Sequence, residues 1–325
     1  MSILESLHYV KGAVSNKDFQ PALRHFRIKD GRVMGYNGTI ALSAPIDCDL
    51  EATPQAIPFY KAVERCVSTT ALWLTPAGKL GVKSAAFKAL IECIDDSEVL
   101  DAIVPDGEEV HLKGNLLKGL KKLQPLIGVD ASPDRTWTNG ILLKGQSAFA
   151  TNNIILAEYW LEADMPEVNL PAAAVAEIVR IGEEPSSVRM SPTSMTFFYA
   201  DGRWMRTQLL NAEWPSIIHD WLDRTGQEAE FAPFPDGFFD GVETLRLFTA
   251  DDGRIFFRGS YMTTAIAEEA PGATVELEGL PAKGAFHYKH LQQLDGVARE
   301  IDFSKSPAPF RAKNLRGLIQ PMIDA

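Results

Sequence analysis

The chain has 325 residues, of which 46% are hydrophobic, and a formal net charge of −11 at pH 7. That length allows two or three domains with cores of their own. No apolar run approaches the roughly 20 residues that span a bilayer, and the opening MSILESLHYVKG lacks the basic-then-apolar layout of a secretory leader. A cytoplasmic protein is expected. Cys48, Cys66 and Cys93 are odd in number, widely spaced and in no metal-ligand or redox pattern, so they are expected to be reduced core residues. Net charge alone argues against a binder of nucleic acid, whose affinity rests on neutralising phosphates, but it hides distribution.

In chain order, a helix is predicted over Leu4–Val14. Strands follow around the turn in GYNGTIALSAP (35–45), then a second helix over Pro54–Cys66, then alternating strands in ALWLTPAGKLGVKSAAFKALIECI (71–94). The same order then recurs. A helix over Asn115–Ile127 carries Leu116, Leu120, Leu123 and Ile127 on one stripe. The turn-then-strand stretch ATNNIILAEY (150–159) follows, then a helix over Pro171–Ile181 and strands in SSVRMSPTSMTFFYADGRWMRTQLL (186–210). In the third round a helix runs from Pro235-Asp236-Gly237 to about Phe248. RGSYMTTAIA (258–267), a helix over Phe286–Glu300 and strands in REIDFSKSPAPFRAKNLRGLIQPMI (299–323) complete it. Two of the second helices start near a proline, a favoured first-turn residue. Pro76, Pro192 and Pro307 are 116 and 115 residues apart, and Asn37 and Asn152 are 115 apart. This period is the size of a small domain. The chain therefore reads as three copies of one α+β domain, 1–106, 107–222 and 223–325, each with two helices and roughly eight strands and with helices on one face.

Charge is unevenly spread over these elements. Lys118, Lys121 and Lys122 lie opposite the leucine stripe of their helix. Lys11, Lys61, Arg65, Arg180, Arg246 and Lys289 lie on the other predicted helices, whereas the acidic clusters, such as Asp106–Glu109, fall mostly in loops and strand ends. For any one helix a solvated face explains this. For all of them together, a basic helical layer inside an acidic shell fits helices that face phosphate.

The pattern resembles the bacterial sliding clamp, the β subunit of DNA polymerase III. The resemblance covers essentially the whole chain and is strongest in RTWTNGILLKGQSAFATNNIILA, LPAAAVAEIVRIG and QLLNAEWPS, with RGLIQPMI near the end. It implies a head-to-tail ring dimer, with twelve helices lining a hole for duplex DNA and the sheets outside. The ring would retain DNA by topology, with weak, sequence-blind contacts that permit sliding. The DNA-facing set it implies is Lys11, Lys17, Lys61, Arg65, Lys118, Lys121, Lys122, Arg180, Arg246 and Lys289. It also implies a pocket for short peptides from polymerase, clamp loader and repair proteins. By position that pocket takes Arg135, Thr138, Thr151, Asn153, Ile154, Ile155 and Leu156, with Leu318, Gln320, Pro321 and Met322. The family's aspartate-glycine turn and following histidine-arginine are here Asn152-Asn153 and Ile154-Ile155, and Gln320 replaces a methionine, so one wall is less basic. Asn tolerates the positive φ such a turn requires. At the ring joint, Phe87 would face Val242, Leu245 and Phe248, the alternative being that these are core residues of their own domains. The compact loops and the pocket departures lean toward a version encoded by a virus or mobile element.

No glycine-rich phosphate loop and no serine elbow occurs in the sequence. His287 and His290 are spaced for a metal pair but have no third ligand nearby in sequence, which favours a plain helix surface. The sequence therefore predicts no enzyme, no cofactor and no metal. Two readings remain: a non-catalytic processivity clamp, and a clamp-fold interaction or decoy protein that does not encircle DNA.

Overall fold

The computed structural model of the chain describes residues 1–15, 20–67, 70–99, 103–112, 114–129 and 132–323. Its strands are β1 (Arg27–Lys29), β2 (Arg32–Tyr36), β3 (Ile40–Pro45), β4 (Ala71–Leu74), β5 (Leu80–Ser84), β6 (Phe87–Ile91), β7 (Glu108–His111), β8 (Gly140–Thr151), β9 (Ile155–Pro171), β10 (Ser187–Met190), β11 (Ser194–Phe198), β12 (Trp204–Gln208), β13 (Ala232–Pro233), β14 (Arg254–Phe257), β15 (Tyr261–Thr263), β16 (Thr274–Glu276), β17 (Gly284–His287), β18 (Glu300–Ile301), β19 (Ala308–Ala312) and β20 (Leu315–Ile319). The helices are α1 (Ile3–Val10), α2 (Ala56–Glu64), α3 (Leu116–Leu123), α4 (Ala172–Ile181), α5 (Ile218–Gly226), α6 (Phe238–Leu245) and α7 (Tyr288–Gln293).

These elements form two compact units. Unit 1 is Met1–Lys113 with Ala173–Leu209; unit 2 is Gly114–Ala172 with Leu210–Ala325. Unit 1 holds a seven-stranded sheet, β1-β2-β3-β12-β11-β10-β7, and a three-stranded sheet, β4-β5-β6. Unit 2 holds a six-stranded sheet, β13-β18-β19-β20-β9-β8, and a four-stranded sheet, β16-β15-β14-β17. Every strand pairing is antiparallel.

The three turns expected from the repeat are present and built alike. Each leads from one strand into its antiparallel neighbour, and each is closed by the same backbone bond: Asn37 N–H to Ile40 O, Asn152 N–H to Ile155 O and Arg258 N–H to Tyr261 O. In the first two the asparagine Oδ1 also accepts two backbone N–H groups, those of Thr39 and Ile40 and those of Ile154 and Ile155. Such a side chain completes a turn that no ladder could satisfy. The strand after the turn then pairs with a strand far along the chain. β3 lies beside β12, with Ile40 opposite Thr207, and β9 lies beside β20, with Leu156 opposite Leu318.

Alternation along β9 puts Leu156 on one sheet face and Tyr159 and Leu161 on the other. The second face carries α3. A Cβ on Gly119 would fall 2.7 Å from Leu161 and 2.9 Å from Tyr159, so the glycine in LLKGLKKL is what lets the helix lie so close to the strand. The first face carries α5, whose Ile218 and Leu222 join Leu142, Phe149, Leu156 and Leu318 in one buried cluster.

Several expectations are corrected. Helices lie on both faces of the six-stranded sheet, not on one, because α5 supplies two apolar residues to the outer face. The predicted copies contain six, six and eight strands among the described residues; in the first, isolated bridges such as His25–Gln55 and Pro54–Cys93 add pairing outside the strands. The helix expected over Phe286–Glu300 is only Tyr288–Gln293. Phe286 pairs with Ile255 in a strand, and the His287 ring caps the helix by accepting the Lys289 N–H at 3.1 Å. The first helix of each round ends in a 3-10 turn, at Lys11–Ala13, Gln124–Leu126 and Arg246–Phe248.

Candidate partner groove and basic helix faces

On the α5 side of the six-stranded sheet, unit 2 has a groove of about 360 Å³. Its wall begins at the turn between β8 and β9. Thr151 Oγ1 donates to Ile155 O at 2.7 Å and accepts from Asn153 N–H at 3.0 Å. Asn153 takes φ +70°, as its residue type allows. The Asn152 amide donates to Gln293 Oε1 at 2.9 Å, and the Gln293 amide donates to Pro125 O at 2.8 Å. Gln320 N–H donates to Ile154 O at 2.9 Å, which fixes the end of β20 against the turn.

Eight of the eleven residues assigned to the pocket from sequence line this groove: Arg135, Thr151, Asn153, Ile154, Ile155, Leu156, Leu318 and Gln320. Three do not. Thr138 is fully buried and donates to Arg135 O at 2.9 Å, so it braces the segment that carries Arg135. Pro321 and Met322 turn away, because Met322 N–H donates to Ala285 O at 2.7 Å and draws the chain toward β17. Sequence reasoning missed Trp137, Pro215, Ile217, Ile218, Trp221 and Pro307. Four of these lie on α5 or just before it. The spacing of Ile217 with Trp221, and of Ile218 with Leu222, was the available signal.

α5 is held over the sheet by more than its apolar side. His219 meets the Phe149 ring edge-on at 4.7 Å between centroids. Arg316 donates from Nε to Glu158 at 2.6 Å and from Nη1 to Asp223 at 2.7 Å. Burial disfavours the Arg316 charge, but the bonds to Glu158 and Asp223 outweigh it and hold its pKa above the ordinary value. Across the groove, Ile154 and the more exposed Ile217 (45%) and Trp221 (53%) form an apolar mouth. Among the described residues, Arg135 is the only one lining the groove that carries a formal charge. An apolar mouth with one cation at its rim suits an apolar peptide segment.

Unit 1 carries the same joint with the groove closed. The positions 115 residues before Trp137, Thr151 and Ile218 are Ala22, Tyr36 and Ile103. All three line a void of only about 20 Å³. There Leu23, Met34, Val99 and Tyr36 close the space, and Tyr36 donates to Gly38 O at 2.8 Å.

The basic residues divide into free and committed. Lys118 and Lys121 of α3 and Lys61 and Arg65 at the end of α2 are exposed and make no ion pair among the described residues; Lys289 of α7 is exposed too, with Nζ 5.9 Å from the Tyr288 ring centre. Lys11 Nζ sits 4.1 Å from the Tyr60 ring centre. Lys122 donates to Gly296 O, and Arg246 pairs with Glu243 at 2.7 Å. Arg180 is the most committed of the set. It pairs with the buried Glu177 at 2.5 Å and donates to Tyr9 O at 2.8 Å, so its charge ties α4 to α1. A buried carboxylate without that partner would be strongly destabilising. Lys17 lies outside the described residues.

For the joint residues, Phe87 is half-buried on β6, an edge strand. Val242 and Leu245 are fully buried in unit 2, because their face of α6 packs inward, so neither is open to a second chain. Phe248 (57%) and Leu247 (72%) are the exposed apolar residues at that helix end. His287 and His290 each have their own Nδ1 contact: His287 accepts from Lys289 N–H, and His290 lies 3.0 Å from Gln293 Oε1. Among the described residues no group of three His, Cys, Asp or Glu side chains could hold a metal, and no helix is long and apolar enough to cross a membrane.

Antiparallel sheets that carry helices, with one turn repeated inside three of them, make an α+β fold. Solved structures identify that fold: it is the fold of the bacterial DNA polymerase III β sliding clamps. The Caulobacter crescentus sliding clamp matches with a TM-score of 0.80 at 17% identity, over 99% of this chain and 97% of its own. The Bacillus subtilis clamp matches with a TM-score of 0.78 at 16% identity, over 99% and 97%. The Bartonella birtlesii clamp, solved bound to griselimycin, matches with a TM-score of 0.80 at 16% identity, over 98% and 96%. No protein-family model and no curated protein matches the sequence.

Proposed function

We propose that the protein is a DNA sliding clamp, a non-catalytic processivity factor that tethers a replicative polymerase and other partners through short peptides. Two chains close head to tail into a ring, each contributing three domains, 1–106, 107–222 and 223–325, with helices facing the DNA. The observation that carries this reading is the clamp fold along nearly the whole chain, joined to a preformed apolar groove on the sheet face away from α3. The free cations support the DNA side. Lys118 and Lys121 sit on the helix face opposite the buried leucines, where weak phosphate contacts permit sliding. The β6 edge with Phe87, and Leu247 with Phe248, supply surface for the ring joint; Val242 and Leu245 brace it from inside.

A ring predicts a dimer mass in solution and a topological hold on DNA. The loaded protein should stay on nicked circular DNA and leave within seconds once the circle is cut. A monomer at micromolar concentration that leaves circles as fast as linear DNA would instead make the chain a clamp-fold protein that does not encircle DNA.

The groove makes a separate prediction. Trp221→Ala removes an exposed indole from the mouth, so stability should change by no more than about 0.5 kcal/mol. Affinity for a short polymerase-derived peptide should fall about tenfold, as for an aromatic anchor at an interface. Fluorescence anisotropy with a labelled peptide measures this, and undiminished binding would move the peptide site elsewhere.

A further inference from the structure

Unit 1 holds a cavity of about 700 Å³ at the helix layer, to which neither the groove nor the free lysines assign an occupant. Two aromatic rings stand at it, His8 of α1 and Tyr60 of α2. Their centroids are 6.2 Å apart at 48°, and His8 Nδ1 lies 3.4 Å from the Tyr60 hydroxyl. Lys11 Nζ lies 4.1 Å from the Tyr60 ring centre.

The polar wall is built rather than incidental. Arg203 donates to Asp201 at 2.6 Å and to Glu183 at 2.5 Å, with its guanidinium 4.8 Å from the ring centre of the buried Tyr9. Glu5 accepts from Ser2 N–H at 2.7 Å. Asp201, Glu183 and Glu5 all line the cavity, so it presents several acceptor oxygens beside two fixed guanidinium groups, those of Arg203 and of Arg180, the latter held by Glu177 and Tyr9 O. Three carboxylates disfavour free inorganic phosphate, and an apolar peptide would take their remaining lone pairs out of water without adding donors. A planar ring with its own donors and acceptors meets both requirements: π faces to stack on, and partners for its edge. A phosphate attached to such a ring has the Lys11 ammonium, held 4.1 Å from the Tyr60 ring centre, as a counter-charge at the end of α1.

We propose that this cavity takes an unpaired nucleobase of DNA, stacked on Tyr60 and His8, so that the protein distinguishes a single-strand–duplex junction from continuous duplex. The site rests on the reading that the helix layer meets DNA. Paired bases have their faces stacked and their edges hydrogen-bonded, so only an unpaired base can enter. Burial, then Lys11 and Arg180, hold the His8 pKa below its ordinary value, so the ring is neutral at pH 7 and stacks without a charge to desolvate.

The test uses the full chain with fluorescein-labelled oligonucleotides: a blunt duplex and the same duplex with a single-stranded tail bearing 2-aminopurine at its first unpaired position. The tailed DNA should bind about tenfold more tightly than the blunt, with the 2-aminopurine quenched, a difference of the size one stacked base provides. Tyr60→Ala and His8→Ala should each remove most of that preference and leave blunt-duplex binding unchanged, whereas Tyr60→Phe should keep it. Equal affinity for the two DNAs, or a preference that survives Tyr60→Ala, overturns the proposal. Retention on nicked circles is measured separately. If circles are held but tails are not preferred, only this site falls; if tails are preferred but circles are not held, only the ring falls.

Discussion

Gly317→Ala is expected to destabilise the protein by about 3 kcal/mol or more, the upper end for overpacking a core, and to abolish peptide binding in the groove. The built Cβ would fall 2.2 Å from Phe310 Cζ and 2.6 Å from Leu156 O. Phe310 is fully buried, and the carbonyl is backbone of the strand alongside, so neither can retreat. β20 must then separate from β9 or from β19, carrying Leu318, part of the groove lining, with it. Gly226→Ala is the matched control. Nothing lies within 4 Å of its built Cβ, and it ends α5. That change should be neutral or stabilise by about 0.5–1 kcal/mol through helix propensity. Chemical denaturation of the two variants compares them directly, and equal stability for both would mean that β20 can shift at little cost.

Reversing Lys118→Glu and Lys121→Glu together is expected to reduce loading onto nicked circular DNA about tenfold and to lower the salt dependence of DNA binding, while a ring once loaded still stays on the circle. Each lost phosphate contact removes about 0.9 from the slope of log K against log salt, so the pair should remove about two per chain. Lys122 is left out by design. It donates to Gly296 O, so Lys122→Ala would loosen the tie between α3 and the segment after α7 and would register as a drop in melting temperature. An unchanged salt slope in the double variant, with the fold intact, would return Lys118 and Lys121 to an ordinary solvated face.

What could be read from the sequence was what depends on neighbours. The three turns were legible because asparagine and glycine chemistry acts within four residues, and the helix that became α3 because its leucines recur every turn. α5 was not legible as a groove wall. Only Ile218 and Leu222 of it are buried, and the ion pair that holds it comes from Arg316, 93 residues beyond Asp223. That Met322 does not line the groove was illegible for a similar reason: its direction depends on a backbone bond to Ala285. Arg180 could have been foreseen. Glu177 lies one helical turn before it, and a carboxylate on the inward side of an amphipathic helix needs a cation.

The way the chain passes from one unit to the other has a consequence for synthesis. Unit 1 cannot be completed until residues 173–209 exist, because β12 is the neighbour of β3, and unit 2 waits further for β20 to reach β9. At roughly 5–20 residues per second, the edge of β3 stays open for about 10–30 s of translation. During that time β3 exposes an unpaired edge able to join another nascent chain. Recovery of soluble protein should therefore depend on elongation rate and on chaperones that cover strand edges more than on the stability of the finished molecule.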